Sequence, residues 1–133
     1  MLNPFPHLLV YSFFAPTLLR IAVACVFAYL AVFHFRHRRE VASEVSMLSA
    51  GVAIWIIGLY IAIEAMTALG LFLGYDTQIA ALVGAILSLK LLLLRPSLRH
   101  VAPLSRLTYA LVGVICLSLL VLGAGAVAFD LPL

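Results

Sequence analysis

Long apolar runs alternate with short polar segments along the chain, and four of these runs are long enough to cross a membrane. They cover about 15–35, 47–73, 77–94 and 107–129. The hydrocarbon core of a bilayer is about 30 Å thick and needs roughly 20 apolar residues in a helix. Each run is predicted to be helical, since an extended strand would leave its backbone groups unpaired in lipid. The pattern therefore predicts an all-α, integral membrane, antiparallel four-helix bundle forming one domain over 1–133.

The basic residues indicate how this bundle would be oriented. They gather in and beside the first and third connections: Arg36, Arg38, Arg39, Lys90, Arg95, Arg99 and Arg106. Cytoplasmic loops carry an excess of Lys and Arg, so both connections are assigned to the cytoplasm and both termini to the outside (N-out/C-out). Lys90, close to the inner end of its span, is expected to extend its ammonium group to the surface. The aromatic segment 1–14 is expected either to lie in the membrane interface or to extend the first span.

Composition supports the membrane class and argues against a nucleic-acid partner. Hydrophobic residues make up 66% of the 133 residues and charged residues only 10%, whereas soluble domains are about 45–50% apolar and about 25% charged. The formal charge is +3, but the basic residues are dispersed among apolar runs. Their expected partner is the anionic surface of the lipid bilayer, not a nucleic acid.

Two ionisable residues lie well inside the predicted spans, Arg20 in the first and Glu64 in the second. At 1.5 Å per residue they lie roughly 22 Å and 27 Å from the cytoplasmic ends of their helices. Because these depths are similar and a guanidinium matches a carboxylate, we predict an Arg20–Glu64 ion pair in the outer part of the bilayer. Such a pair either fixes the register of two helices, or lines a pocket that binds a ligand head group or relays a proton.

Three further residues are candidates for ligand binding beside this pair. Tyr60 and Thr67 lie four residues before and three residues after Glu64, which places them on the same face of a helix. Trp55 is expected near mid-membrane, where it either packs in the bundle or forms a wall against a flat ring.

Other chemistry has little support in the sequence. Cys25 and Cys116 form no CxxC pattern and lie at a similar expected depth, so they are two small buried side chains or a thiol pair. The four histidines stand near the predicted membrane edges: His7, His34, His37 and His100. This arrangement provides no haem or metal motif, and the chain has no phosphate-binding loop or hydrolase motif.

The segment EAMTALGLFLGYDTQIAA, Glu64 to Ala81, resembles the DoxX family of small prokaryotic membrane proteins, as does LLR ending at Arg20. In that family a Glu is followed by a Gly-containing apolar run, a short turn, and a Thr and an Ala pair that open the next helix. The family commonly also has Gly and Lys near the end of the first helix. This chain has no Gly before Gly51, and His34 or Arg36 stands in the region of that Lys.

The resemblance implies a multi-pass protein of the prokaryotic cytoplasmic (inner) membrane. Relatives are described as subunits of thiosulfate:quinone oxidoreductase or as partners of redox enzymes. By analogy, Arg20 and Glu64 would line a cavity for a quinone or a sulfur compound, with Tyr60 or Arg20 donating to a carbonyl oxygen and Trp55 or Tyr60 as a wall. Because the chain has no metal or flavin motif, a redox protein partner would supply the electrons.

Two alternative functions stay open at this point. One is a small proton-coupled transporter in which Glu64 alternates between protonated and ion-paired states, although the strong charge bias disfavours an antiparallel dual-topology dimer. The other is a structural membrane anchor that holds partner enzymes at the basic cytoplasmic face. A second copy of the chain is a further candidate partner.

Overall fold

The computed structural model describes residues 14–44, 50–94, 101–123 and 125. These residues form five helices and no strand, which confirms the all-α class for this part of the chain. The helices are α1 (Phe14–Arg36), α2 (Arg38–Glu44), α3 (Ala50–Leu73), α4 (Thr77–Leu93) and α5 (Arg106–Leu122). The segment 1–13, with the candidate interfacial residues, and Arg95, Arg99 and His100 lie outside the described residues.

The first connection is partly helical, although the sequence predicts only a loop there. Helix α2 follows α1 after the single residue His37. The backbone N–H of His37 donates to Phe33 O at 3.0 Å, and that of Val41 donates to His37 O at 2.9 Å, so helical hydrogen bonding continues through the junction. Stacking of the His37 ring on Phe33, at 4.4 Å between centroids, supports it further. The segment was predicted to be a loop because of its charged residues, but Arg, Glu and Ala are good helix formers.

A tight turn joins α3 to α4. Gly74 has φ +70°, a left-handed conformation that ends α3 as glycine does at many helix C-termini. The N–H groups of Gly74 and Tyr75 both donate to Gly70 O, at 2.9 and 3.1 Å. At Gly70 the two helices approach closely, since a side chain there would lie 3.2 Å from Ala80 Cβ. The turn therefore sets α3 and α4 side by side in opposite directions.

Helix α5 begins at a side-chain cap and ends before a glycine with a positive φ. Ser105 Oγ accepts a hydrogen bond from the backbone N–H of Thr108 at 3.2 Å. The helix ends at Leu122, where Gly123 with φ +77° follows. The predicted span continued to residue 129, and residues 126–133 lie outside the described residues.

Replacing the cap residue gives a first prediction. Ser105→Ala should lower the free energy of unfolding by about 1 kcal/mol, because the N–H of Thr108 loses its acceptor. Ser105→Asp keeps an acceptor at this position and should stay close to the wild type. Unfolding by SDS in mixed micelles would measure both variants. Equal destabilisation by Ala and Asp would contradict a capping role.

The long helices pack as an antiparallel bundle with α2 against α3. Helix α1 contacts α3 and α5, α3 contacts α4, and α4 contacts α5. Near the middle, a side chain at Gly84 of α4 would lie 3.0 Å from both Cys116 Sγ of α5 and the Phe27 ring of α1. Farther along, Gly113 of α5 faces Ser88 of α4. The core of the described residues is centred on the Phe27–Gly84–Cys116 contact.

The described surface is largely apolar, while several polar groups are buried. Exposure reaches 87% for Val121, 83% for Trp55 and 71% for Met66. The interior holds Arg20, His34 and Glu64, which are at most 2% exposed. This is the reverse of the usual distribution in water-soluble domains, where charged side chains lie outside and large apolar ones inside.

Two of the helical segments are long and apolar enough to cross a membrane, Phe14–Arg36 and Val52–Leu73. The other two apolar helices are shorter, Thr77–Leu93 and Arg106–Leu122, with 17 residues each. Seventeen residues correspond to about 25 Å of helix.

Candidate functional site

A His–Glu pair between α1 and α3 is the central polar feature of the bundle. His34 Nδ1 and Glu64 Oε2 are 2.7 Å apart, and both side chains are buried. The other ring nitrogen, Nε2, lies 3.1 Å from the backbone carbonyl oxygen of Val101, in the connection before α5. One imidazole thus links three parts of the chain: α1, α3 and the α4–α5 connection.

The hydrogen-bond partners of His34 determine how many protons the pair holds. The Val101 carbonyl oxygen can only accept, so Nε2 carries a proton and donates it. The 2.7 Å contact needs a second proton, held either by Nδ1 next to a carboxylate or by Glu64 next to a neutral ring. Without that proton, two acceptors would face each other in a buried site. The hydrogen bond between Nδ1 and Oε2 therefore contains one proton, on either the ring or the carboxyl group.

Tyr60 and Lys90 extend this pair toward the surface. The centroids of the Tyr60 and His34 rings are 5.6 Å apart. Lys90 Nζ lies over the Tyr60 ring, 4.0 Å from its centroid. Tyr60 is half-buried and in electrostatic contact with Glu64, whereas Lys90 is exposed. A row of polar groups therefore runs from Lys90 at the outside to Glu64 inside. Lys90 was expected to reach toward the membrane surface, and here its ammonium group rests on Tyr60.

Two oxygens of this cluster are without a hydrogen-bond partner among the described residues. They are Glu64 Oε1 and the hydroxyl of Tyr60, both buried. A buried polar atom of this kind costs about 1–3 kcal/mol unless a partner reaches it. Tyr60 precedes Glu64 by one helical turn, so a modest change in its χ1 angle would let the hydroxyl donate to Oε1. The cluster can therefore accept a further donor or rearrange internally.

The expected Arg20–Glu64 pair is wrong, because Glu64 pairs with His34 instead. Arg20 lies on the same continuous helix as His34, fourteen residues earlier. That separation is about 21 Å along the axis, too far for the Arg20 side chain to reach the carboxylate beside His34. Arg20 is buried and has an interaction of its own.

The position of Glu64 along the bundle also differs from the expectation of an outer site. The predicted depth of Glu64 was counted from a helix start near Ser46. It assumed that the first and second spans have their cytoplasmic ends at the same height in the membrane. In the structure Glu64 is level with His34, two residues from the end of α1 at Arg36. Relative to the predicted register, α1 is shifted along α3 so that His34, and not Arg20, lies beside Glu64. The pair thus lies toward the end of the bundle that carries Arg36 and Lys90.

Of the other candidate residues, Thr67 faces the interior and Trp55 does not. Thr67 is buried, and its hydroxyl donates to Ile63 O at 2.8 Å, inside its own helix. Trp55 is 83% exposed. Nine residues separate it from Glu64, which turns it to about the opposite face of α3. Ligand binding by Arg20, Glu64, Tyr60, Thr67 and Trp55 stays a prediction.

The two cysteines do not form a pair. Both are free, with Cys25 exposed on α1 and Cys116 buried in the core. The prediction of a small buried side chain is confirmed for Cys116 and wrong for Cys25. Within the described ranges, no group of three or more His, Cys, Asp or Glu side chains is placed to hold a metal ion.

His34 is the site residue that sequence reasoning missed. It was placed at the basic membrane edge because it stands in the polar sequence FHFRHRR. The helical spacing indicates its true position, since Phe27, Ala31 and His34 are three or four residues apart and therefore share one face of α1. All three are buried. That stripe predicts an inward-facing His34.

No protein-family model, no curated protein and no solved structure matches this chain. The resemblance of Glu64–Ala81 to the DoxX family stays a prediction.

Proposed function

We propose that this chain is a multi-pass protein of a prokaryotic cytoplasmic membrane, in which the His34–Glu64 pair is the proton-exchanging site of a redox-associated, quinone-linked subunit. The observation that carries the proposal is the 2.7 Å contact between Nδ1 and Oε2 inside a bundle whose outer surface is apolar. Ionisable groups buried in a membrane are expensive, so they mark functional sites by default.

Lipid as the surrounding solvent is supported by the distribution of side chains. Exposed Trp55, Val121 and Met66 would be unfavourable in water but are ordinary in hydrocarbon. Two helices have the length for a full crossing. The 17-residue helices α4 and α5 give about 25 Å, which a bilayer accommodates by local thinning at modest cost. A four-helix membrane bundle is the arrangement that uses all four apolar helices.

The basic residues support a cytoplasmic location for the end of the bundle that contains the pair. The antiparallel order brings the end of α1 with Arg36, the end of α4 with Lys90 and the start of α5 with Arg106 to the same side. An excess of Lys and Arg is typical of the cytoplasmic side. We therefore place His34 and Glu64 near the cytoplasmic surface, where Val101 covers them.

A proton-exchanging pair near this surface fits quinone chemistry. Reduction of a quinone to a quinol takes up two electrons and two protons. A redox protein partner would supply both electrons. The His34–Glu64 pair would hand on one proton through the Tyr60 hydroxyl, take up another from the cytoplasm, and hand on the second proton by the same route. Tyr60 suits this role because its ring is half-buried and its hydroxyl, unpartnered among the described residues, lies one helical turn from Glu64. The same chemistry would serve a sulfur compound that is protonated on reduction.

Binding of a water-soluble short-chain ubiquinone to the purified protein in mild detergent tests the proposal. Quenching of the single tryptophan, Trp55, should saturate in the wild type. Glu64→Gln and His34→Gln should each weaken binding at least tenfold, because the shared proton is lost. Met66→Ala, two residues from Glu64 but 71% exposed, is the matched control. No saturable binding in the wild type, or equal binding in folded Gln variants, would overturn the proposal.

The proton-coupled transporter is the second candidate, and the unpartnered Glu64 Oε1 favours it. In that case Glu64 would exchange His34 for a substrate cation as the proton leaves. Proteoliposomes loaded with a pH-sensitive dye separate the two functions. Proton flux in the absence of quinone, abolished by Glu64→Gln, would favour transport. A tight bilayer together with saturable quinone binding would favour the redox-associated subunit, and failure of both tests would favour a structural membrane anchor.

A further inference from the structure

A groove on the exposed surface of the bundle joins a basic depression to an apolar track. The depression, of about 420 Å³, is lined by Phe35, Arg36, His37, Arg38, Arg39 and Glu40. An adjoining cavity of about 500 Å³ shares Phe35, Arg38 and Arg39 with it and continues over the apolar side chains of α3. We propose that this groove binds one anionic phospholipid, with the phosphate at Arg38 and Arg39 and an acyl chain along α3.

The basic end of the groove is built for a phosphate group. Arg38 and Arg39 are exposed and line both the depression and the cavity. The Arg38 guanidinium lies 5.1 Å from the centre of the Phe35 ring, which holds it at the boundary between the polar and apolar parts. Three arginines outnumber the single carboxylate of Glu40 here. Guanidinium groups bind phosphate oxygens in a bidentate manner, so charge complementarity selects an anionic head group.

The apolar part has the dimensions of one acyl chain. Gly58 and Ala62 leave room between α3 and the α1–α2 junction. Ala65 is shared with a second groove of about 390 Å³, which continues along α3 to Phe72. From Ala62 to Phe72 the track covers about 15 Å of helix, half of the ~30 Å hydrocarbon core. A chain lying there would therefore span the depth of one leaflet.

The inference depends on membrane placement but not on quinone binding or proton exchange. The basic end of the groove belongs to the same end of the bundle as the proposed cytoplasmic surface, where anionic lipids attract basic side chains. His34 and Glu64 are buried and do not line the groove. The test of lipid binding can therefore fail while quinone binding at the His34–Glu64 pair is found. Quinone binding can likewise fail while lipid binding is found.

Native mass spectrometry of the detergent-solubilised protein, titrated with phosphatidylglycerol or phosphatidylcholine, tests the site. One phosphatidylglycerol should be retained preferentially. The double variant Arg38→Gln, Arg39→Gln should weaken its retention at least tenfold and remove the preference over phosphatidylcholine. The matched control is Arg106→Gln, a basic residue at the same end of the bundle that does not line the groove. It should retain the lipid as the wild type does.

A second variant tests the acyl track separately. Apart from its chain neighbours and the backbone of its own helix, nothing lies within 4 Å of a Cβ placed at Gly58, so Gly58→Leu can fill the groove with little disturbance of the fold. It should lower retention of phosphatidylglycerol severalfold, and inorganic phosphate should not displace the lipid from the wild type. Retention unchanged by both Gly58→Leu and the double Arg variant, or lost equally in Arg106→Gln, would overturn the proposal.

Discussion

His34→Ala should lower the free energy of unfolding by about 3–5 kcal/mol, because removing one partner of a buried pair leaves the other uncompensated. Glu64 is fully buried, and His34 Nδ1 is the hydrogen-bond partner of its Oε2 at 2.7 Å. The variant also removes the donor to the Val101 carbonyl, which detaches the α4–α5 connection from α1. Glu64→Ala should destabilise to a similar extent. SDS titration in mixed micelles measures both.

A double variant separates the cost of breaking the pair from its net contribution to stability. His34→Leu with Glu64→Met replaces both polar side chains by apolar ones, and such replacements are often neutral or stabilising. It should therefore recover most of the stability that either alanine variant loses, and it should abolish the quinone binding that we propose for the pair. Met66→Ala should change stability by less than about 0.5 kcal/mol, as expected at an exposed site. Single alanine variants as stable as Met66→Ala would mean that the pair is not held together in the folded protein.

The helices were predictable from sequence because apolar runs and their Gly and Asp boundaries carry a local signal. The Gly74–Asp76 turn, for example, follows directly from the pattern and lies between α3 and α4. The exception was α2, which was predicted to be a loop because it is rich in charged residues, although those residues favour a helix. The end of α5 is set by one residue, since Gly123 follows Leu122 with a positive φ, and most of the predicted span beyond it lies outside the described residues. Local chemistry therefore determined the elements, while their ends depended on single residues.

The partner of Glu64 was not predictable from depth, because depth assumes that all helices begin at one level. The register between α1 and α3 is set by packing of their whole length, and it brings His34 instead of Arg20 beside Glu64. Counting residues from the polar connections cannot detect this shift. The buried stripe of Phe27, Ala31 and His34 carries the missing information, since it shows which face of α1 turns inward.

Gly84→Ala should destabilise the bundle by about 1–3 kcal/mol, the usual effect of adding a methyl group to a tightly packed core. The new Cβ would lie 3.0 Å from both Cys116 Sγ and the Phe27 ring. Phe27 and Cys116 are themselves fully buried, so neither can move aside without shifting α1 or α5. This loss should exceed the roughly 1 kcal/mol that Ala gains over Gly in helix propensity. Thermal unfolding in detergent, followed by Trp55 fluorescence, would measure it.

Gly113→Ala is the matched control, because a Cβ at Gly113 meets Ser88 Cβ at an ordinary 3.6 Å. This variant should be neutral or stabilised by up to about 1 kcal/mol. If the contact at the centre is responsible, Cys116→Ala should also reduce the effect of Gly84→Ala, since it removes the sulfur atom while the Phe27 contact remains. Equal stability of the Gly84 and Gly113 variants would instead mean that α1, α4 and α5 do not meet at Gly84, which would contradict the packing of the bundle centre.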